Sequence, residues 1–403
     1  MNIFSYSKKY FFFLANAATI AYFYLFCNMN IGFDAKRIFY NKTGLGNYAR
    51  SLLLGLNQLN TQHNYHLFTP GYRIHQNFMA DESNVFRHVP SKMIDKKVPS
   101  LWRSKGIIAD IQKANIQIYH GLSNELPKGL VQTKVKTVVS IHDVIFLKYP
   151  QLYPWLDRQI YKKKFAQAIQ SADLVLATSE NTKQDILHFY EVNPQKIEVL
   201  YQSCDTSFYQ KLGSNQTDAI KRKYGLTRDY LLSVGTLEQR KNHLNLLKAF
   251  VQSDVNDADL VLIGKKADAY PALQQFVEKH NLKERVKFIH DAPFSDFPAL
   301  YQAALGFIYV SKYEGFGIPI LEAMHSHIPI LAGTLSSLPE VAGAAAIYAN
   351  PGNVNELVFG LNQLVFNQEK RSGLLADAQI QLPKFNSTLL SEQLLLAYNR
   401  LIS

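Results

Sequence analysis

The sequence predicts an α/β protein made of two doubly wound, Rossmann-like domains with parallel sheets. Three observations predict it. The chain has 403 residues, too many for one small core and enough for about two domains of roughly 150–200 residues each. Short apolar runs alternate with helical stretches of about ten to fifteen residues, which implies strand–helix–strand crossovers. The alternation breaks at the polar stretch Gln210–Asp218 and then restarts.

The first 28 residues stand apart. Tyr10–Cys27 is an 18-residue stretch in which only Asn16 and Thr19 are clearly polar, about 27 Å if helical and just enough to span a bilayer. It lacks a small-residue cleavage site. Two readings fit it: an N-terminal membrane anchor, or a peptide upstream of a translation start at Met29. On either reading residues 1–28 are expected to be dispensable for catalysis. From Met29 onward, strands are expected at Ile31–Phe33, Ile116–His120, Thr137–Ile141 and Leu174–Thr178, with helices such as Asn47–Leu59 and Tyr161–Ser171 between them. After the break, strands are expected at Tyr230–Val234, Leu260–Gly264, Val286–Ile289, Phe307–Val310 and Ile328–Ala332. The expected units are therefore 1–28, a first domain over 29–205, a second over 206–385, and a closing helix over 386–403 that packs back on the first domain.

Composition narrows the class. Hydrophobic residues make up 47% and charged residues 19%, a globular balance rather than a disordered one. Two cysteines build neither a disulfide scaffold nor a Cys-rich zinc site, so a reducing compartment is the default. The net charge of +11 is lopsided: residues 1–205 carry 24 Lys/Arg against 14 Asp/Glu, the remainder 19 against 18. Such an excess suits an anionic partner. No zinc-finger or RNA-binding signature accompanies it, so nucleic acid is not expected.

The motifs fall at the carboxyl ends of expected strands, where open parallel sheets bind ligands. Gly44-Leu45-Gly46 opens a helix carrying Asn47, Tyr48 and Arg50. Bare backbone there suits an anion, although an ordinary tight turn would look the same. His142-Asp143 ends a strand; the histidine can hydrogen-bond a ligand, with Asp143 orienting it or capping the next segment. Gly235-Thr236 leads through Arg240-Lys241 to Asn242, a plausible helix N-cap. Two cations at a positive helix end oppose the macrodipole, which makes sense if a diphosphate lies between them. In Glu314-Gly315-Phe316-Gly317-Ile318-Pro319-Ile320-Leu321-Glu322 the glycines allow a tight loop and Pro319 starts a helix. Glu314 would be presented from the loop and Glu322 from the helix start, both facing a crevice. A glycosidase carboxylate pair is one option, and a charged helix start alone would explain Glu322.

Together these pieces, with Ser179-Glu180-Asn181-Thr182, closely resemble glycosyltransferase family 4, the retaining transferases of GT-B fold, in which two Rossmann-like domains face a central crevice. The resemblance runs from about Met29 to the C-terminus, and Glu314…Glu322 matches the family's E-x7-E motif. It implies transfer of a sugar, with mannose the candidate, from a nucleotide diphosphate donor, with no cofactor and no metal; no Asp-x-Asp metal motif stands out. It implies that Arg240 and Lys241 stabilise the leaving diphosphate, that Glu314 contacts the donor sugar and that Glu322 holds the ribose. His142 would contact the transferred sugar. Gly44, Gly46, Gly235, Thr236, Gly317 and Ile318 would line the donor site. Two places depart from the family pattern. The aromatic closing helix is only partly kept at Phe385-Asn386-Ser387, which weakens the expected docking of the last helix. The linker reads Tyr201-Gln202-Ser203-Cys204-Asp205 in place of Asn-Gly-Val-Asp, a change expected to touch no catalytic position.

The function expected is hexose transfer to a glycan or lipid-linked acceptor in cell-surface polysaccharide or lipopolysaccharide assembly, at the cytoplasmic face of a membrane. A GT-B sugar-nucleotide epimerase and a catalytically silent nucleotide-sugar-binding protein are the alternatives. An anionic membrane surface is an expected partner, because Lys92, Lys96, Lys97, Arg103 and Lys105 surround Val98, Leu101 and Trp102, cations beside an aromatic anchor.

Overall fold

The computed structural model describes residues 28–42, 44–59 and 62–403. The hydrophobic stretch Tyr10–Cys27 lies outside the described residues. Among the described residues no helix is long and apolar enough to cross a membrane.

Thirteen strands among the described residues form two sheets. The first comprises β1 (Asn30–Asp34), β2 (Asn64–Phe68), β3 (Val85–His88), β4 (Ile118–Gly121), β5 (Lys136–Ile141), β6 (Leu174–Ala177) and β7 (Ile197–Val199), in the order β3-β2-β1-β4-β5-β6-β7. The second comprises β8 (Asp229–Val234), β9 (Ala258–Ile263), β10 (Val286–Ile289), β11 (Gly306–Tyr309), β12 (Ile330–Gly333) and β13 (Ala346–Ala349), in the order β10-β9-β8-β11-β12-β13. Pairings such as β1 with β4 and β8 with β11 are parallel. In each sheet the strand order reverses beside the first strand, between β1 and β4 and between β8 and β11. At such a switch point neighbouring loops diverge and leave room for a ligand.

The expected strands are all present, with ends shifted by one or two residues. β2, β3, β7 and β13 were not among the expected runs: Asn64-Tyr65-His66-Leu67-Phe68 and Val85-Phe86-Arg87-His88 mix polar with apolar residues, and Ile197–Val199 and Ala346–Ala349 are only three and four residues long. The histidines of β2 and β3 meet, His66 Nδ1 lying 2.9 Å from His88 Nε2. The helix expected from Asn47 begins at Gly44 and runs to Gln58, and the one expected from Tyr161 begins at Trp155.

The second sheet shows why its strands read as unbroken apolar runs. Tyr230, Leu232 and Val234 of β8 belong to one buried cluster with Phe307, Tyr309 and Met324, while Leu231 belongs to another with Ile308, Leu331 and Leu361. Alternate side chains enter opposite faces, and both faces are covered.

By packing, the described chain divides into two compact units. One holds the described residues up to Ser140 together with Gln167–Val175 and Ser391–Ser403, and the other holds Ile141–Ala166 and Leu176–Leu390. Within the first, Tyr398 of the last helix, Ser387–Ile402, is fully buried, its Oη 2.6 Å from His120 Nδ1. His120 Nε2 lies 2.8 Å from Ser140 Oγ, which is itself 2.8 Å from Tyr48 Oη. A buried hydrogen-bonded chain thus takes the place of the missing aromatic residues as the anchor of this segment.

Candidate active site

The loops that follow β8 and β11 emerge side by side at the switch point, and charged residues gather there. Arg240 and Lys241 sit on a single 3₁₀ turn, Gln239–Lys241, ahead of the helix His243–Gln252. Glu314 lies on the loop after β11. Its Oε1 is 2.7 Å from Lys241 Nζ and its Oε2 2.7 Å from Arg240 Nη1. Arg240 also donates to Glu238 Oε1 and to the Tyr313 carbonyl, and Lys241 donates to Tyr309 Oη at 2.7 Å. All three central side chains are nearly enclosed.

Burial alone would raise the Glu314 carboxyl, but the two cations hold it down to about 2. Burial lowers the Lys241 ammonium, with Glu314 opposing the shift. Burial also works against Arg240, yet Glu314 and Glu238 leave its pKa raised. Glu314 and Glu238 offset the charge that these two cations place against the helix dipole. Asn242 does not cap the helix with its side chain. It adopts a left-handed conformation, φ 63°, and its amide donates to the carbonyls of Val310 and Pro351 at 3.2 and 2.7 Å. The residue ties the two loops together instead.

Gly315 must be glycine. A Cβ there would lie 1.9 Å from the His142 carbonyl oxygen, well inside van der Waals contact. That close approach joins Glu314 to the end of β5. The Gly315 carbonyl accepts hydrogen bonds from Ser179 Oγ at 2.7 Å and Thr182 Oγ1 at 3.0 Å, and Thr178 Oγ1, which donates to the His142 carbonyl at 2.9 Å, lies within reach at 3.3 Å. Ser179 also N-caps the helix Glu180–Phe189, accepting from Thr182 N. The Ser-Glu-Asn-Thr segment therefore clamps the glutamate loop, a role its sequence did not suggest. Phe316 adds an apolar tether, its ring 5.7 Å from that of Phe385.

His142 is buried, and the Gln202 amide donates to its Nδ1 at 3.1 Å. The linker departure at Gln202 therefore does touch a candidate catalytic residue. Asp143 caps the next segment, its Oδ1 accepting from the backbone of Ile145 at 3.2 Å. Gly317 takes the N-cap position of the helix Ile318–His325 with φ 116°, and Pro319 is the second helical residue. Glu322 is not at the helix start. It is the fifth residue, enclosed, and accepts from Tyr301 Oη at 2.7 Å. Gly235 packs against the Lys241 side chain, with Thr236 next to it in sequence. In the other unit, Gly44 begins its helix. A Cβ on Gly46 would lie 2.2 Å from the Asn41 carbonyl oxygen, the carbonyl that Arg50 also binds at 3.0 Å.

Burial raises the Glu322 carboxyl to about 7, the Tyr301 hydrogen bond opposing the shift and Asp205 adding to it. A carboxyl raised above its unfolded value is protonated preferentially in the folded state, so its contribution to stability is complete below about pH 4.5 and is lost as pH rises through 7. Removing that titration with Glu322→Gln should flatten the pH dependence of stability between pH 5 and 8 by about 3 kcal/mol, read from urea unfolding at both pH values. Parallel pH profiles for the two proteins would refute it.

Two expectations about other residues are corrected. Trp102 is fully buried and donates to Asp110 Oδ2 at 2.8 Å, and Arg103 is paired with Asp34 at 2.5 Å. Neither belongs to an exposed membrane anchor. One Asp-x-Asp tripeptide does occur, Asp257-Ala258-Asp259, but it lies at the amino end of β9, where Asp259 is 3.4 Å from Arg228. Among the described residues no three His, Cys, Asp or Glu side chains gather as a metal site requires.

Comparison with known proteins agrees with this layout. The Glycosyltransferase Family 4 model matches residues 42–208 and the Glycosyl transferases group 1 model residues 216–379. The O-antigen chain mannosyltransferase B of Escherichia coli is 29% identical over 288 residues, covering 70% of this chain and 74% of the relative. The O-antigen chain mannosyltransferase RfbU of Salmonella typhimurium is 30% identical over 214 residues, covering 53% of this chain; the match spans 56% of that relative's length. Among solved structures, HepE of Anabaena in complex with UDP and glucose aligns with a TM-score of 0.73 at 19% identity, covering 93% of this chain and all of that one. That likeness concerns the fold. With both family models in tandem, two Rossmann-like parallel sheets and the E-x7-E segment set against Arg240 and Lys241, the chain carries a Glycosyltransferase Family 4 domain followed by a Glycosyl transferases group 1 domain and is a glycosyltransferase of GT-B fold.

Proposed function

We propose that the chain transfers a hexose, mannose in the first instance, from a nucleoside diphosphate sugar to a glycan or lipid-linked acceptor, with retention at the anomeric carbon, in cell-surface polysaccharide or lipopolysaccharide assembly. The observation that carries this reading is the pair of fixed cations, Arg240 and Lys241, held by Glu314 at the switch point of the second sheet. The mannosyltransferase relatives support the sugar and the pathway. As the bond from the anomeric carbon to the diphosphate breaks, charge accumulates on the leaving phosphate, and cations already in position stabilise it without reorganisation. Donation to the phosphates releases part of Glu314, which then accepts from the donor sugar's hydroxyls.

In this reading Glu322 holds the ribose, His142 contacts the transferred sugar, and Gly44, Gly46, Gly235, Thr236, Gly317 and Ile318 line the donor. Residues 29–205 bind the acceptor, residues 206–385 bind the donor, and 386–403 close the fold. The donor is cytosolic, so the reaction belongs at the cytoplasmic side of an anionic membrane bearing the acceptor, with no cofactor beyond the donor itself. A panel of nucleoside diphosphate sugars tests it by thermal shift, since a bound donor raises the melting point by mass action. One mannose donor is expected to stabilise the protein and to release free nucleoside diphosphate when acceptor is present. Stabilisation without release would point to a silent binder, and conversion of the sugar without release to an epimerase.

A further inference from the structure

The helix Trp155–Ser171 carries an exposed apolar surface on the side opposite its packing face. Inward, Phe165 sets its ring edge-on against Phe146 at 4.9 Å, and Ala168 and Ile169 are fully buried; Tyr161, its ring 5.7 Å from that of Phe146, is exposed at the edge of this face. Outward, Trp155 is 62%, Leu156 66% and Ile160 49% exposed. At 100° per residue Leu156 and Ile160 lie about 180° and 140° from Phe165, and Trp155 sits on the flank about 80° from it. Lys162, Lys163 and Lys164 follow within one turn and are exposed too. The sequence of residues 155–164 holds these three lysines and the half-buried Arg158 against one acidic residue, Asp157.

A bulky apolar cluster is costly to leave in water, and a lysine run next to it selects an anionic partner. Tryptophan and lysine in this arrangement suit the headgroup level of a bilayer: the indole and aliphatic side chains enter the acyl boundary while the ammonium groups meet lipid phosphates. We infer that the first turns of this helix, with Trp155, Leu156 and Ile160 as the inserting side chains and Lys162 to Lys164 as the electrostatic contact, dock the enzyme on an anionic lipid surface. The inference deepens the membrane-linked acceptor reading above and rests on it. It also replaces the site around Trp102, whose indole is buried.

The chain has two tryptophans. Trp102 is fully buried, so changes in emission on adding vesicles report Trp155. The full-length protein is mixed with vesicles of equimolar phosphatidylcholine and phosphatidylglycerol, or of phosphatidylcholine alone. The expected result is a blue shift and loss of acrylamide quenching with the anionic vesicles only. The triple variant Lys162→Gln, Lys163→Gln, Lys164→Gln should bind the anionic vesicles about 100-fold more weakly, each lysine near such a surface being worth roughly fivefold. The double variant Leu156→Ser, Ile160→Ser should weaken binding as well. Both variants should still transfer sugar to a water-soluble acceptor and lose transfer to a vesicle-embedded one.

Sedimentation with vesicles while Trp155 emission stays unchanged would overturn the inference. So would equal binding by the triple variant, or loss of binding on Met93→Ser, Ile94→Ser instead, those two side chains being the other exposed apolar pair beside lysines. A concentration-dependent blue shift without vesicles would assign the face to a second copy of the chain and likewise overturn it. Absence of transfer even to a soluble acceptor refutes the proposed function and leaves the vesicle result to stand on its own.

Discussion

Replacing Arg240 or Lys241 by alanine is expected to slow turnover by about 100- to 1000-fold while changing donor affinity far less. The asymmetry follows from when the charge appears. In the bound donor the diphosphate charge is shared with the sugar ester; at bond cleavage it moves onto the leaving phosphate, and only there does each cation reach full effect. The surroundings of the two residues differ. Arg240 is held by Glu314, Glu238 and the Tyr313 carbonyl, so its loss also frees Glu238. Lys241 rests on Glu314 and Tyr309 alone. The measurement is single-turnover transfer beside donor binding by calorimetry, with circular dichroism to verify folding. Unchanged turnover in both variants removes them from the mechanism.

Glu314→Ala is expected to lower stability by about 3–5 kcal/mol, the cost of leaving buried charge without its counter-ion, and to abolish transfer. Both its oxygens are engaged at 2.7 Å, and the side chains of Arg240 and Lys241 are only 14% and 11% exposed. The same pairing sets the acid limb of stability. With its carboxyl held at about 2, Glu314 contributes fully above about pH 4.5, and the contribution fades as pH falls from there toward 2. Urea unfolding at pH 7 and pH 3 checks both statements. The gap between wild type and variant should be wide at pH 7 and narrower at pH 3. Equal stability at pH 7 would show that the ion pairs carry no net weight.

Much of the architecture was legible because it is written locally. Leu260–Ile263 and Phe307–Val310 are continuous apolar runs bounded by glycine, charge or serine, and buried parallel strands require that pattern. The Gly-Phe-Gly-Ile-Pro segment announces a turn and a helix start within five residues. What escaped depends on distant partners. Glu314 meets Lys241 across 73 positions, and no local pattern reveals that a loop cation already has a carboxylate. Gln202 reaches His142 across 60, so a linker substitution that looked remote proved to be a neighbour. Trp102 among lysines resembles an interfacial anchor, yet Asp110 offers its indole an acceptor eight residues on, which allows complete burial. β2 and β3 were missed because strands carrying histidine, asparagine and arginine show too few apolar residues to be seen in isolation.

The clamp on the Gly315 carbonyl has an evolutionary consequence. A carbonyl oxygen has two lone pairs, and three hydroxyls, from Thr178, Ser179 and Thr182, lie within reach of it. The donors outnumber the places, so they are partly interchangeable, and drift at any one of the three positions leaves the acceptor satisfied by the others. The acceptor itself is main chain and cannot be mutated away. Such a joint tolerates sequence divergence on one side while keeping the glutamate loop in register, which lets descendants of this fold change the surfaces around the loop without disturbing the groups it presents.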